Sequence, residues 1–410
     1  MSSTVQNLSE ILKTIYTPGD QKTLYEAAPF MGMVPKDSNF KGLDRAVTLR
    51  YSPEPGGSAT FARAQANKGP SKYKQFKVTR DSDYVVSSLS TELYRAARNG
   101  NEGAIVDALE SIMNGMKNTA KRSLCLSLYA NGGGARGIVA SGVASNVIQL
   151  TNPDDIVNFE VGMQLDGGTT DGTSGSPIVG GVNSVIVAID RDNGTITNSG
   201  ANWNAATAIN GLANGNYLFR GGDFGKTIKG LSAWIPSTVS ATPFFGVDRT
   251  ADSERLAGCR LASAAATVEA TVLNLLKRVY RAGGAPDAVF MHPEVFNKLV
   301  KELGSKRTYA EARSSDASVG YRGLVIEGQG GQAKVFSDPN CPVGTIFALT
   351  MNTWKFATLG PPLSLVDEDG NVFLREAQAD AFELRLATFG NLICDAPAYN
   401  GRAPAPLGTP

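Results

Sequence analysis

Histidine is almost missing from this chain: His292 is the only one in 410 residues. That scarcity removes most histidine-based metal sites and leaves one candidate for histidine-dependent acid–base work. His292 stands directly before Pro293, and the segment Pro293 to Leu303 reads as a helix closed by Gly304, so His292 reads as a helix entry. Cysteine is nearly as rare. Cys125, Cys259, Cys341 and Cys394 lie far apart, which gives neither a disulfide framework nor a zinc spacing, and reduced, partly buried thiols are expected. No apolar run reaches the length needed to span a bilayer. The first fifteen residues lack the basic start and apolar run of a secretory signal, which predicts synthesis and retention in the cytoplasm. Net charge is also small, 39 basic against 38 acidic residues, whereas a dedicated nucleic-acid binder carries a strongly basic domain.

Catalytic signatures fail in the same way. Gly172-Thr-Ser-Gly-Ser-Pro177 is similar to the sequence around the nucleophile of trypsin-like proteases, but that chemistry needs a histidine base earlier in the chain, and none precedes Ser174. Asn131 to Gly137 is glycine-rich without the Gly-Lys-Ser/Thr ending of a phosphate loop, and reads as a helix terminator leading into a linker. No calcium-loop pattern and no Cys or His pair with metal spacing occurs. No cofactor, no metal and no enzymatic activity are expected.

What the chain does contain is an ordered series of parts. With 410 residues, two or three domains are expected. Leu8, Ile11, Leu12 and Ile15 can form one apolar helical face, and Tyr25 to Val34 reads as an apolar extended arm that needs a partner surface, from its own subunit or a neighbour. Ala46 to Tyr51 and Gln75 to Leu89 read as strands. Between them, Ser52 to Lys74 has too few aliphatic residues to build a core, and it sets Arg63, Lys68, Lys72 and Lys74 against the single acid Glu54. It reads as a projecting basic hairpin. Ile105, Leu109, Ile112, Met116, Ala120 and Leu124 recur at spacings of three and four, which predicts one long helix over Asn101 to Tyr129.

Composition shifts at Ala144. Through Gly222 the chain is rich in Gly, Asn, Thr, Ser and Val, and its short strands and turns (Asp190 to Gly194 above all) predict a small antiparallel barrel or sandwich inserted in the host domain. Gly230 to Pro236 reads as a strand, Ser253 to Ala282 as a second long helix. An α+β unit follows, with strands at 288–291, 324–327, 333–336 and 345–350 around the helix 293–303. Leu363 to Leu374 reads as a hairpin turning at Asp367 to Asn371, Ala381 to Ile393 as a long strand, and Ala396 to Pro410 as a loose terminus.

This order of parts resembles the major capsid proteins of tailed bacteriophages, the fold first described for Hong Kong ninety-seven phage. The resemblance covers nearly the whole chain. Ala379-Asp-Ala-Phe-Glu-Leu-Arg-Leu-Ala-Thr-Phe-Gly-Asn-Leu-Ile-Cys394 is similar to that family's closing peripheral strand, and Asp287-Ala-Val-Phe-Met-His-Pro-Glu-Val-Phe-Asn-Lys-Leu299 to the strand and helix that begin its axial domain. The resemblance implies an α+β capsid fold: arm 1–48, extended loop 49–85, peripheral domain with spine helix 86–143, inserted β-barrel 144–222, peripheral continuation with the second helix 223–284, axial domain 285–360, and peripheral hairpin, closing strand and tail 361–410. It also implies a non-enzymatic subunit that self-assembles into hexamers and pentamers of an icosahedral shell around double-stranded DNA.

Several partner expectations follow from the same resemblance. The scaffold and portal are separate proteins, a decoration protein is allowed for, packaged DNA is touched only weakly, and the protein resides in the virion after assembly in the host cytoplasm. The basic loop needs acidic ground on a neighbour, for which Asp367, Glu368, Asp369, Glu376, Asp380 and Glu383 are the candidates. Some members of the family cross-link subunits through a lysine–asparagine isopeptide bond, but nothing here selects a lysine for it. The rival reading is a phage or bacterial surface module that binds glycans or receptors through the Gly/Asn-rich β region. It leaves the arm, the loop and the long helices without a purpose. A hydrolase built on Ser174 explains less.

Overall fold

The computed structural model describes residues 28–91, 102–304, 309–313, 320–366, 374–376 and 379–407. The apolar face at Leu8 to Ile15 and the acidic turn at Asp367 to Asp369 lie outside these residues. The chain forms two compact units, Met1–Tyr129 with Trp234–Pro410, and Ala130–Ala233.

The first unit is organised by a helix over Glu102–Tyr129. Its 28 residues make a rod about 42 Å long at 1.5 Å per residue. Met113, Met116, Ala120, Leu124 and Leu128 succeed one another at helical spacing and are all buried. The helix lies against two long antiparallel strands, Asp81–Ser90 and Ala381–Cys394, paired from Ser90 opposite Ala381 to Asp81 opposite Gly390. On its other edge the 14-residue strand Ala381–Cys394 pairs with Trp354–Thr358, Ser364–Leu365 and Leu374–Arg375. The strand expected over Gln75 to Leu89 is two strands. It changes partners at Arg80, whose guanidinium donates to the Phe40 carbonyl at 3.1 Å and lies over the Phe40 ring.

A seven-stranded mixed sheet fills the rest of this unit, in the order Cys259–Arg260, Gly401–Pro404, Thr345–Leu349, Ala288–Met291, Gly331–Ser337, Gly320–Gly328, Tyr309–Arg313. Helices Val268–Arg281 and Pro293–Leu303 bury Val272, Leu275, Val295 and Leu299 against Val289, Met291, Val335 and Ile346. Side chains cap both helix starts: Thr267 Oγ1 accepts from Ala270 N, and His292 Nδ1 accepts from Glu294 N at 3.3 Å. The lone histidine therefore stands at a helix entry.

Several expectations need correction here. The second long helix does not begin at Ser253. Gly258 adopts φ +79°, Cys259–Arg260 is a strand parallel to Gly401–Pro404, and the helix starts only at Val268, so Leu261, Ala264 and Ala265 lie off it. That helix packs on the seven-stranded sheet, not on the peripheral strands. Gly230 to Pro236 is not a strand: Leu231–Trp234 is a helical turn, with Leu231 and Trp234 both fully buried three residues apart. The tail from Ala396 is not loose either. Gly401–Pro404 is an interior strand between Thr345–Leu349 and Cys259–Arg260. It is held from within by the buried Asn400 amide, which accepts from Trp354 Nε1 at 2.7 Å and Thr350 N at 2.8 Å.

The second unit carries its own core of Trp203, Phe159, Ile148, Leu150, Ile196 and Leu218 with their neighbours. Its antiparallel sheet runs Leu165–Gly168, Tyr217–Arg220, Ala135–Ser141, Val147–Leu150, Thr195–Asn198, Ile186–Asp190. The two outer strands then meet at the Gln164–Val185 bridge, which closes the sheet into a ring. The unit reaches past both ends of the compositional shift at 144 and 222. Asn131 to Gly137 is accordingly not a linker. A Cβ on Gly133 would stand 2.0 Å from the Asp171 carbonyl, and one on Gly172 2.1 Å from the Gly133 carbonyl, so two backbones meet there through glycine alone.

Candidate functional site

Asp44–Ser52 and Lys72–Thr79 pair with each other and with no other strand, making a two-stranded ribbon about 30 Å long. Its root is fixed. Phe76 and Val78 are fully buried, and Phe76 stacks within 5.4 Å of Trp234 and 6.3 Å of Phe244. Lys77 N donates to Phe245 O at 3.0 Å, and Arg255 Nη1 donates to Tyr51 O at 2.6 Å. Arg249 lies 4.3 Å over the Phe244 ring and donates to Trp234 O, and burial lowers its pKa to about 10. A ribbon anchored by such a cluster has a defined direction.

Beyond the root the burial stops. The tip carries a six-residue helix, Phe61–Ala66, none of whose residues is buried. Phe61 is 82% exposed and Tyr73 57%. Across residues 44–79 the sequence holds seven cations and two acids. Arg63, Lys68 and Lys72 are exposed and Lys74 is half-buried; among the described residues none of the four enters an ion pair within the subunit. A short helix that buries nothing gains no hydrophobic stabilisation from its own chain.

Of the acids expected to receive this hairpin, Glu376 is half-buried and Asp380 exposed near the start of the long strand. Glu383 is already engaged by Arg385, two residues along and on the same strand face. Asp367, Glu368 and Asp369 are not among the described residues.

The apolar arm is corrected more sharply. Pro29–Met33 is a short helix within its own subunit, with Phe30, Met31 and Val34 buried and Phe30 packed 5.3 Å from both Tyr129 and Phe290. Phe30 and Met31 find cover at home, so this stretch is no free arm. At its foot lies a residue that sequence reasoning missed, the fully buried Asp338. Its carboxylate accepts from Tyr129 Oη at 2.8 Å, from Phe30 N at 3.4 Å, and from Asn340 N and Nδ2 at 2.9 Å each. Burial raises its pKa above the ordinary aspartate value, against these hydrogen bonds, which lower it. Asp338 thus joins the N-terminal helix, the end of the long helix and the seven-stranded sheet. Its only signal in the sequence was an acid in an Asp-Pro-Asn turn, which is ordinary.

Ser174 sits in a loop where Asp171 is engaged by Asn131 Nδ2 at 2.6 Å and by Thr173. The described residues hold no group of His, Cys, Asp and Glu arranged to bind a metal ion, and no helix among them is long and apolar enough to cross a membrane. All four cysteines are buried free thiols.

Comparison with known proteins gives the class. The capsid asymmetric unit of cyanophage A-1(L) matches with a TM-score of 0.50 at 12% identity, covering 93% of each chain, and this likeness shows the fold. The holo-SrpI encapsulin complex from Synechococcus elongatus matches at 0.43 and 8% identity over 91% of this chain and 84% of that one. The capsid of an empty GTA particle matches at 0.43 and 9% over 92% and 89%. No curated protein matches the sequence. The fold is the one seen in the cyanophage capsid subunit. The family model of the SU10 major capsid protein matches residues 206–369, and with the fold it supports the reading of the chain as a major capsid protein of a tailed bacteriophage. The match falls largely outside the Gly/Asn-rich unit, which disfavours the reading as a glycan- or receptor-binding module.

Proposed function

We propose that the subunit assembles with copies of itself into hexamers and pentamers, and that the basic hairpin makes the contact that joins neighbours. The observation that carries this is the contrast within the ribbon: a root locked by Phe76, Trp234 and Phe244, and a tip helix that buries nothing. Burying an exposed phenylalanine stabilises by about 1.5–3 kcal/mol, and only another molecule supplies the cover. Lys72 and Lys74 on the shaft face acidic ground on the neighbour, for which Glu376, Asp380 and the acids at 367–369 remain the candidates. Such pairs set register and encounter rate more than affinity.

In this reading the shell encloses double-stranded DNA, and the near-neutral net charge keeps contact with it weak and non-specific. Scaffold and portal are separate proteins, with room for a decoration protein. The subunit takes part in no catalysis and resides in the virion after assembly in the host cytoplasm. Electron micrographs of the purified protein, expressed alone or with its genomic neighbours, test the proposal. Closed shells, tubes or rings are expected; a stable monomer at high concentration refutes it. Lys68→Glu with Lys72→Glu should impair assembly while leaving the subunit folded, and unaltered assembly counts against the hairpin contact.

A further inference from the structure

The second unit exposes apolar surface that its own core does not use. Val161 is 62% exposed, Val187 47% and Val157 45%. Backbone hydrogen bonds gather them: Gly162 N donates to Ile186 O at 2.8 Å, and Ile186 N to Met163 O at 3.0 Å. Arg191 draws the two segments together from the other end, donating to Ile156 O at 3.4 Å and to Glu160 at 3.1 Å. Asp154, Glu160, Asp190 and Asp192 flank the valines along the chain, and Gly194 against Pro153 sets the 190–194 turn beside the Pro153–Asn158 helix; Arg191 is the one cation between residues 151 and 215. Isolated exposed valines need no explanation, but exposed valines on segments tied together by hydrogen bonds and flanked by one sign of charge suit an interaction surface.

The rim restricts the occupant. A second copy of the same patch would set carboxylates against carboxylates, so a self-matched contact is disfavoured. What fits is an apolar group flanked by cations. Among the described residues the hairpin tip fits that description, with Phe61 exposed near the exposed Arg63 and Lys68. We propose that the valine patch of the second unit, rimmed by Asp154, Glu160 and Asp192, receives the Phe61 hairpin tip of a second copy of this chain. The proposal rests on the reading of the chain as a self-assembling shell subunit and gives the hairpin tip a specific landing surface, distinct from the acids that the shaft faces. Phe61 would cover the valines, while Arg63 and Lys68 would meet the rim. Arg191 stays with Glu160, which leaves Asp154 and Asp192 as the carboxylates open to a partner. Asp190 is left out of the contact, because its carboxylate closes its own turn on Asn193 and Asp192.

Three variants of the full chain test this: Arg63→Glu with Lys68→Glu, Asp154→Lys with Asp192→Lys, and all four together. Unfolding midpoints of the dissociated subunit check that each folds, and sedimentation with electron microscopy measures the assembled fraction. Each charge-reversed pair should lower that fraction about tenfold or more, and the fourfold variant should recover to within about threefold of wild type, since opposite charges again face each other. The proposal is overturned if Asp154→Lys with Asp192→Lys assembles like wild type, or if the fourfold variant is no better than the worse pair. In either case shells formed by the wild type leave the shell reading standing; failure of the wild type to assemble sinks both. Val161→Ser with Val187→Ser keeps every charge and changes only exposed side chains. It should weaken assembly without altering its salt dependence, and wild-type assembly by this variant also overturns the proposal.

Discussion

Replacing Asp338 by alanine removes the shared acceptor of Tyr129 Oη, Phe30 N and both Asn340 donors. Tyr129 and Phe30 are buried with it, and a buried donor left without a partner costs about 1–3 kcal/mol. The loss should therefore reach about 3–5 kcal/mol, a large share of the 5–15 kcal/mol that holds a typical domain folded. Asp338→Asn is the sharper probe, because it keeps shape and one acceptor oxygen but does not titrate. Burial raises the pKa of Asp338 in the folded chain, so the folded state holds its proton at pH values where the unfolded chain has released it. The stability this contributes is full below the unfolded value near 4 and is lost as pH rises through the folded value. Urea unfolding of dissociated wild type and Asp338→Asn across mildly acidic to neutral pH reads the difference directly. The stability of wild type relative to the variant should fall as pH rises. A relative stability that grows with pH would show that the hydrogen bonds from Tyr129 and Asn340 outweigh burial, and would refute the reasoning.

Other perturbations follow from packing. Gly133→Ala should destabilise the second unit by about 3 kcal/mol, because its new Cβ meets the backbone carbonyl of Asp171, which no rotamer change can move; proteolysis within residues 130–233 checks it. Asn400→Leu should cost about 3–5 kcal/mol by stranding Trp354 Nε1 and Thr350 N, and a thermal midpoint near wild type would contradict the account of the C-terminal strand. The thiol of Cys125 is buried and pushed up to about 12, so it should resist a thiolate-directed reagent in the folded subunit and react once urea unfolds it; prompt labelling of the folded subunit would contradict the burial.

Regular periodicity carried most of the legible structure. The spacing of Met116, Ala120 and Leu124 announced the long helix, Pro293 and Gly304 bracketed a helix whose ends the structure places at Pro293 and Leu303, and the alternation around Phe76 and Val78 marked a strand. Where reasoning from sequence failed, context beyond the local window decided. Leu261, Ala264 and Ala265 continue a helical pattern, yet the pairing of Cys259 with Gly401, 142 positions away, holds that stretch out of the helix. The Pro- and Ala-rich C-terminus looked loose because its strand has a weak pattern of its own; Asn400 and the partners on either side make it an interior strand. Phe30 and Met31 signalled a need for cover, but sequence cannot tell cover by the same subunit from cover by a neighbour. The hairpin cations were visible from composition. The valine patch was not, because Gly162 pairs with Ile186, and Arg191 with Ile156 and Glu160, only in the folded ring.

The central claim, that the hairpin tip is completed by another copy of the chain, is tested most directly by amide hydrogen exchange over residues 58–71, compared between assembled particles and dissociated subunits. Rapid exchange is expected in the free subunit and strong protection in the particle, with the root at Phe76 protected in both. Equal and rapid exchange of the tip in particle and subunit would contradict it.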